Sequence, residues 1–283
     1  MDVLPWIVQP AGSWLDRMIL VLGGTGKTGR RVTQRLQGAG HRVRIATRST
    51  GFDLDDPATW ALDGVTAAYL IEPSAQPTRL PRLVDAAGKG GVRRLVLMTA
   101  PGVANNRDHP LWPAEEAVRT SGLEWTIVRP TWFAQNFSEA FFLPGIRAGE
   151  LVLPTGDGRT TFVDADDIAD VATAALTEDG HNGQAYGLTG ARAHSFGEAA
   201  ELISAATGRT IRHVDINPDD FTAAQIADGV PAETARQITH LYVSIRNGQA
   251  TETLDGVRRA LGRQPRAFED YVTTTAASGV WNP

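Results

Sequence analysis

The sequence predicts a doubly wound α/β fold, a parallel sheet carrying helices on both faces, followed by a smaller, mainly helical C-terminal lobe. Three observations predict it. Short continuous apolar runs, the mark of strands buried on both faces, recur through the first half of the chain. Stretches with helical apolar spacing separate them, so strand and helix alternate as in βαβ units. The first run ends in a glycine-rich turn that opens the first helix.

The elements follow in order. Met18–Leu22 is the first strand, and similar runs lie at 43–46, 66–71, Arg94–Met98 and 125–128. Between them Val32/Leu36, Leu80/Leu83/Val84/Ala87 and Ala114/Ala117/Val118 mark helices. After Pro130 the alternation weakens. The pattern then predicts a helix over 166–176 with Asp164 as N-cap, a strand at 184–189, a helix at Phe196–Thr207 and a strand at 211–214. Helical stretches at 218–228, 231–247, 252–261 and 266–277 complete the chain. Residues 1–17 form an N-terminal extension, 18–150 the sheet domain and 151–283 the C-terminal lobe. Elements of the lobe are expected to interleave with the sheet, which makes the boundary near 150 soft.

Composition excludes several function classes. The chain has 283 residues, 42% of them hydrophobic, enough to bury a full core as one large or two joined domains. It has no cysteine, so thiol chemistry, disulfides and Cys-ligated zinc are out. The net charge of −5 carries no basic stripe, which argues against nucleic acid as a partner. The longest plainly apolar run is five residues, far short of a membrane span, and residues 1–17 lack the order of a signal peptide. A cytoplasmic protein acting on a small molecule is expected, with no membrane or metal partner.

The strongest motif is Gly23-Gly24-Thr25-Gly26-Lys27-Thr28-Gly29, between the first strand and first helix. Gly23 permits the tight turn, Gly26 lets the backbone approach a pyrophosphate, and Gly29 lets helix and strand pack closely. Amides at the helix start face the phosphate charge, with Thr25, Lys27 and Thr28 as further contacts. A P-loop would need glycine at position 21, which is Val21. An NAD site holds the ribose with an acid at the tip of the second strand, whereas this strand ends Thr47-Arg48-Ser49-Thr50. Arg48, helped by Ser49 and Thr50, suits a 2′-phosphate, so NADP(H) is expected ahead of NAD(H).

The chain resembles the NmrA-like branch of the atypical short-chain dehydrogenase/reductases from Met18 onward. The residues that carry the resemblance are Val21-Leu-Gly-Gly-Thr-Gly-Lys-Thr-Gly29, Ser121-Gly-Leu-Glu-Trp-Thr-Ile-Val-Arg-Pro130 and Trp132-Phe-Ala-Gln-Asn136. Phe162-Val-Asp-Ala-Asp-Asp-Ile-Ala169, Tyr186-Gly-Leu-Thr-Gly190 and Gly262-Arg-Gln-Pro265 extend it. Its quinone-oxidoreductase and triphenylmethane-reductase-like members are the nearest in flavour. The resemblance implies an NAD(P)-binding Rossmann domain with a substrate lobe. It also implies a short third strand followed by Asp53 and Leu54 near the adenine, and Ile71, Glu72 and Pro73 at the nicotinamide ribose. Thr99, Pro130 and Thr131 stand at further strand ends.

One departure matters more. Ordinary short-chain dehydrogenases pair a tyrosine with a lysine four residues later to tune its phenol. Here the residues four after Tyr69, Tyr186, Tyr242 and Tyr271 are Pro73, Gly190, Arg246 and Thr275. The chain has two lysines, Lys27 and Lys89, against 25 arginines. Thr99 and His109 are therefore the candidate catalytic residues. Trp112, Trp132, Phe133 and Phe137 are candidate substrate contacts, although a core-packing role is the first reading of the stripe 132–142, whose spacing is near helical. Asp164, Asp166, Asp167 and Asp170 read as helix capping rather than a cation site. These features point to an NADPH-dependent reductase of a quinone-like or conjugated aromatic acceptor. A redox-sensing regulator that binds NADP(H) and a protein partner without turnover, or a biosynthetic isomerase or cyclase, are the alternatives.

Overall fold

The computed structural model describes residues 18–72 and 79–283; the 1–17 extension and Pro73 lie outside the described residues. The chain divides into two compact units. One takes the described residues up to Val128 with Ala169–Ala185, the other Arg129–Ile168 with Tyr186–Pro283. Residue 150, where the pattern set its boundary, opens a strand inside the second unit.

The first unit is built on the strands β1 (Met18–Leu22), β2 (Arg42–Ala46), β3 (Val65–Ile71), β4 (Arg94–Met98) and β5 (Glu124–Pro130). With β9 (Gln184–Leu188) they form a six-stranded sheet in the order β2-β1-β3-β4-β5-β9. The pairs β1–β2, β1–β3, β3–β4 and β4–β5 are parallel. Helices α1 (Gly29–Gly38), α2 (Arg79–Lys89) and α3 (Trp112–Thr120) are the crossovers. Their buried residues include Val32, Leu36, Leu80, Leu83, Val84, Ala87, Ala114 and Val118, as the apolar spacing predicts. Chain order reverses across β1, with β2 on one side and β3 on the other. A doubly wound sheet opens its ligand crevice at such a switch, beyond the carboxyl ends of the strands.

The expected third strand before Asp53 is absent, and local hydrogen bonding explains why. The Gly51 and Phe52 N–H groups turn back to the Arg48 and Thr47 carbonyls, and the Asp53 carboxylate accepts the Asp55 N–H. Asp turns of this kind draw the backbone out of a ladder. Phe52 and Leu54 are buried from this irregular segment instead.

The second unit holds two small sheets. One orders β10 (Ala193–Ser195), β8 (Arg159–Val163) and β6 (Trp132–Phe133); the other pairs β7 (Glu150–Leu153) with β11 (Arg212–Asp215) in parallel. Its helices include α4 (Asn136–Glu139), α5 (Leu143–Ala148) and α7 (Phe196–Thr207), the last opened by a Ser195–Glu198 capping box. α8 (Pro218–Ala227), α9 (Ala232–Arg246), α10 (Gly256–Leu261) and α11 (Phe268–Ala277) follow. α6 (Ala165–Thr177) crosses from this unit into the first. Asp164 takes the Asp166 N–H at 2.8 Å, the capping role its spacing predicts. The helix expected over 252–261 starts only at Gly256.

The aromatic stripe 132–142 does not run along one helix. Trp132 and Phe133 sit on β6 and Phe137 on α4, while Phe141 is 78% exposed. Phe137 and Phe142 belong to a core with Phe162, Phe196 and Phe268, their ring centroids 5.0–5.9 Å apart in the pairs made by Phe137. Among the described residues no helix is long and apolar enough to cross a membrane.

Candidate functional site

Register brings the tips of the first three strands together. Leu22 faces Ala46 across the β1–β2 pair, and the Gly23 N–H donates to the Ala46 carbonyl at 2.9 Å. The glycine turn after β1 and the 47–51 turn after β2 are thereby neighbours. On the other side Val21 pairs with Tyr69, which sets Ile71 against Gly23.

The three motif glycines serve three different needs. Gly23 has φ +67°, the left-handed region that only glycine enters without strain. A Cβ on Gly29 would lie 2.2 Å from the Gly23 carbonyl oxygen, so this residue is glycine because turn and helix touch. A Cβ on Gly26 would meet nothing within 4 Å except that same oxygen, at 3.2 Å. The outer side of Gly26 is therefore open for a group that must approach the backbone. Helix α1 has no acid in its first turn, which leaves its positive end unneutralised by its own residues. Thr28 turns inward, buried, its hydroxyl accepting from Tyr69 at 3.0 Å. The Lys27 carbonyl accepts from the Arg31 guanidinium.

After β2 the chain makes a tight turn over Arg48–Thr50. The Thr50 hydroxyl donates back to the Ile45 and Thr47 carbonyls and accepts the Thr47 N–H, so it is spent on holding the turn. Ser49 and Thr47 share a hydroxyl contact of 2.9 Å. Arg48 is exposed, and its guanidinium has no partner among the described residues. Glycine turn, β2 turn and the following loop enclose a cleft of about 710 Å³, within the range of small-molecule and cofactor sites. Gly23, Thr25, Arg48, Ser49, Asp53, Leu54 and Ile71 line it, among the residues singled out from sequence; Gly26, Lys27, Thr28 and Gly29 do not. Glu72 follows the tip of β3. A cleft lined by the start of the glycine turn and an unpartnered guanidinium, with the open side of Gly26 and the positive end of α1 next along the same turn, fits a phosphate-bearing ligand of dinucleotide size.

Farther along the same sheet edge, Thr99 follows β4. It is buried, and its hydroxyl donates to the Glu115 carboxylate at 2.7 Å. Its proton is thus committed, and the oxygen keeps only acceptor capacity. Glu115 is itself fully buried on α3 and was not singled out from sequence. The readable signal was its place three residues before Val118, on the helix's apolar face. His109, in the loop before α3, accepts the Leu111 N–H on Nδ1 at 3.1 Å. When neutral it therefore carries its proton on Nε2. Trp112 opens α3 beneath the Arg107 guanidinium, 5.7 Å from the ring centre.

The remaining candidates lie in the second unit. Thr131 donates its N–H to the Leu188 carbonyl, and its hydroxyl meets Thr161 at 3.1 Å; Pro130 before it is buried at the end of β5. Trp132 and Phe133 are half-buried, whereas Phe137 is fully buried and offers no surface. The aspartates are taken by protein partners. Asp164 accepts from Gln135, Asp167 from Arg263 and Arg266, and Asp170 from Arg35. No group of three or more His, Asp or Glu side chains among the described residues is arranged to hold a metal ion.

All four tyrosines are held away from acid function. Burial pushes the phenols of Tyr69, Tyr242 and Tyr271 far above their ordinary range. Burial raises Tyr186 as well, partly offset by the charge of Arg259. Lys89 is exposed and paired with Asp85 at 2.7 Å.

Comparison with known proteins agrees with this architecture. An NAD(P)H-binding family matches residues 53–179, downstream of the glycine turn. The chain is 36% identical to the uncharacterized oxidoreductase YesF of Bacillus subtilis, over 92% of this chain and 95% of that one. It is 34% identical to an NAD(P)H azoreductase of Xenophilus azovorans, over 92% and 99%. The fold matches that of the Citrobacter sp. triphenylmethane reductase complexed with NADP(H). The TM-score is 0.74 at 22% identity, over 92% of this chain and 99% of that one.

Proposed function

The chain belongs to the NmrA-like branch of the atypical short-chain dehydrogenase/reductases and is an NAD(P)H-dependent oxidoreductase, and from that premise we propose its cofactor preference and acceptor. It uses NADPH ahead of NADH and reduces a quinone-like or conjugated aromatic small molecule without a tyrosine–lysine pair.

The observation that carries the reading is the state of the four phenols. A dehydrogenase tyrosine needs a lowered pKa, and here burial drives every one the other way. When bound, the reduced nicotinamide supplies the hydride. The chain's own residues hold and orient. The pyrophosphate passes the open side of Gly26 toward the N-terminal end of α1, and Arg48 with Ser49 receives the 2′-phosphate. Asp53 and Leu54 border the adenine, and Ile71, Glu72 and Pro73 the nicotinamide ribose. Thr99, its proton committed to Glu115, would offer only an acceptor to a bound nicotinamide. His109 offers an Nε2–H to an acceptor heteroatom. A conjugated acceptor spreads the incoming charge and takes its proton from water, so orientation in a dry pocket is most of the protein's work. The azoreductase relative, by its name, reduces an azo group.

The test is steady-state NADPH oxidation with quinones and azo compounds, set against secondary-alcohol oxidation in the reverse direction. The four Tyr→Phe variants should keep turnover near wild type. His109→Ala should lose less than the roughly 100-fold expected from removing a true general acid. Rapid alcohol oxidation that collapses in one Tyr→Phe variant would refute the reading.

A further inference from the structure

The cleft that holds Arg48 also holds a second guanidinium and two carboxylates. Arg79, at the start of α2, pairs with Asp55 at 2.9 Å, and both line the cleft with Arg48 and Asp53. Asp55 is 57% exposed and Arg79 26%. So open an ion pair adds little to stability. Its effect on the cleft is larger, because a concave, low-dielectric surface focuses the field of its charges. With Arg79 in place the four charged side chains of the lining balance. Without it the two aspartates outnumber Arg48.

We propose that the Arg79–Asp55 ion pair is a specificity determinant, Arg79 cancelling the Asp55 charge so that the cleft accepts a dianionic phosphate beside Arg48. The inference rests on the reading that Arg48 receives the 2′-phosphate. Arg79 is a positioning and screening residue here and need not touch the ligand. A 2′-phosphate brings a charge of about −2 and feels the lining strongly. NADH lacks that group and feels it less.

The experiment titrates NADPH and NADH into the full-length protein and three variants at about 50 mM salt, where charges act over more than 10 Å. Arg79→Met should weaken NADPH about fivefold and NADH less than about twofold. Asp55→Asn removes the repelling charge and should leave NADPH as tight or tighter. The double variant should return to within about twofold of wild type, because neither charge is then left alone. At about 1 M salt, with a screening length near 3 Å, the Arg79→Met defect should vanish. Melting curves check that each variant folds; should Arg79→Met fail to fold, Asp55→Asn decides alone, and weaker NADPH binding there overturns the inference. A double variant as weak as Arg79→Met overturns it too, since Arg79 would then act by direct contact. Arg48→Ala separates the two levels. If Arg48→Ala weakens NADPH while Arg79→Met does not, only this inference falls. If Arg48→Ala changes nothing, the phosphate-site reading falls and takes the inference with it.

Discussion

The glycine turn allows a prediction that separates folding from binding within seven residues. At Gly29 an added methyl would sit 2.2 Å from the Gly23 carbonyl oxygen, 2.7 Å from its carbon and 2.9 Å from the Gly24 Cα. All three are backbone atoms, so the turn itself must move. Overpacking of that kind costs up to about 3 kcal/mol, and more where backbone is displaced. For a chain of this size it lowers the melting temperature by about 6–12 °C. At Gly26 the single contact is 3.2 Å and φ is not positive, so Gly26→Ala asks a few tenths of an ångström of one oxygen. Its cost should stay under about 1 kcal/mol, part of it returned by a less flexible unfolded chain.

Binding should sort the two positions the other way. Wild type at NADPH 100 times its Kd gains about 2.7 kcal/mol, a rise of about 5–11 °C. Gly26→Val places a branched side chain where the pyrophosphate approaches and should melt near wild type with no rise on adding NADPH. Thermal melts of wild type, Gly26→Ala, Gly26→Val and Gly29→Ala, each with and without NADPH, read both effects at once. Gly29→Ala melting with wild type would refute the packing argument. A folded Gly26→Val protein that still rises with NADPH would mean the cofactor does not cross this turn.

Three other expectations follow. Arg48→Ala should weaken NADPH by about 1.5–3 kcal/mol, the range for a charged hydrogen bond, and leave NADH nearly unchanged in a fluorescence titration. Burial lowers the pKa of His181, His194 and His213 below the ordinary 6.5, so the unfolded chain takes up protons that the folded one refuses. Stability is then full above pH 6.5 and drains as pH falls toward the folded-state values. His194→Leu should flatten that slope in melts from pH 8 to 5, because neither ring nitrogen of His194 has a hydrogen-bond partner among the described residues. Trp281 is fully buried and its ring N–H donates to the Phe137 carbonyl at 2.8 Å; Trp281→Ala should cost about 3–5 kcal/mol in urea unfolding.

Much of the fold was legible because it rests on patterns of short range. The strand runs and helical faces of the first unit need only period and length, and Asp164 announces its helix by capping chemistry. The glycine turn was legible for the same reason. What escaped the sequence depends on residues far apart. The Thr99–Glu115 hydrogen bond joins the end of a strand to a later helix, and Asp55 meets Arg79 across 24 positions. The stripe 132–142 misled because its spacing suits a helix, while Phe137 is drawn into an aromatic core assembled from Phe142, Phe162, Phe196 and Phe268. Thr50 misled more subtly. Its type suits a phosphate, yet the turn that presents Arg48 uses up its hydroxyl.

The tyrosine question shows why spacing alone cannot assign a catalytic pair. Tyr242 has a cation four residues on, Arg246, and a guanidinium beside a phenol could in principle favour the phenolate. The fold spends both groups elsewhere. Arg246 makes a two-pronged contact with Asp215 at 2.7 and 3.0 Å, and Asp215 also takes the Gly156 N–H. The Tyr242 ring packs against Trp132 at 5.3 Å, and its burial raises the phenol's pKa. Tyr69 is likewise core, its hydroxyl tied to Thr28 and Met98. A chemistry that needs a tuned phenol would have to take it from a side chain that the packing cannot release. On the proposed reading that demand passes to the acceptor, which must carry its own means of spreading charge. On that reading substrate choice follows from the lack of a tuned phenol as much as from the shape of a pocket.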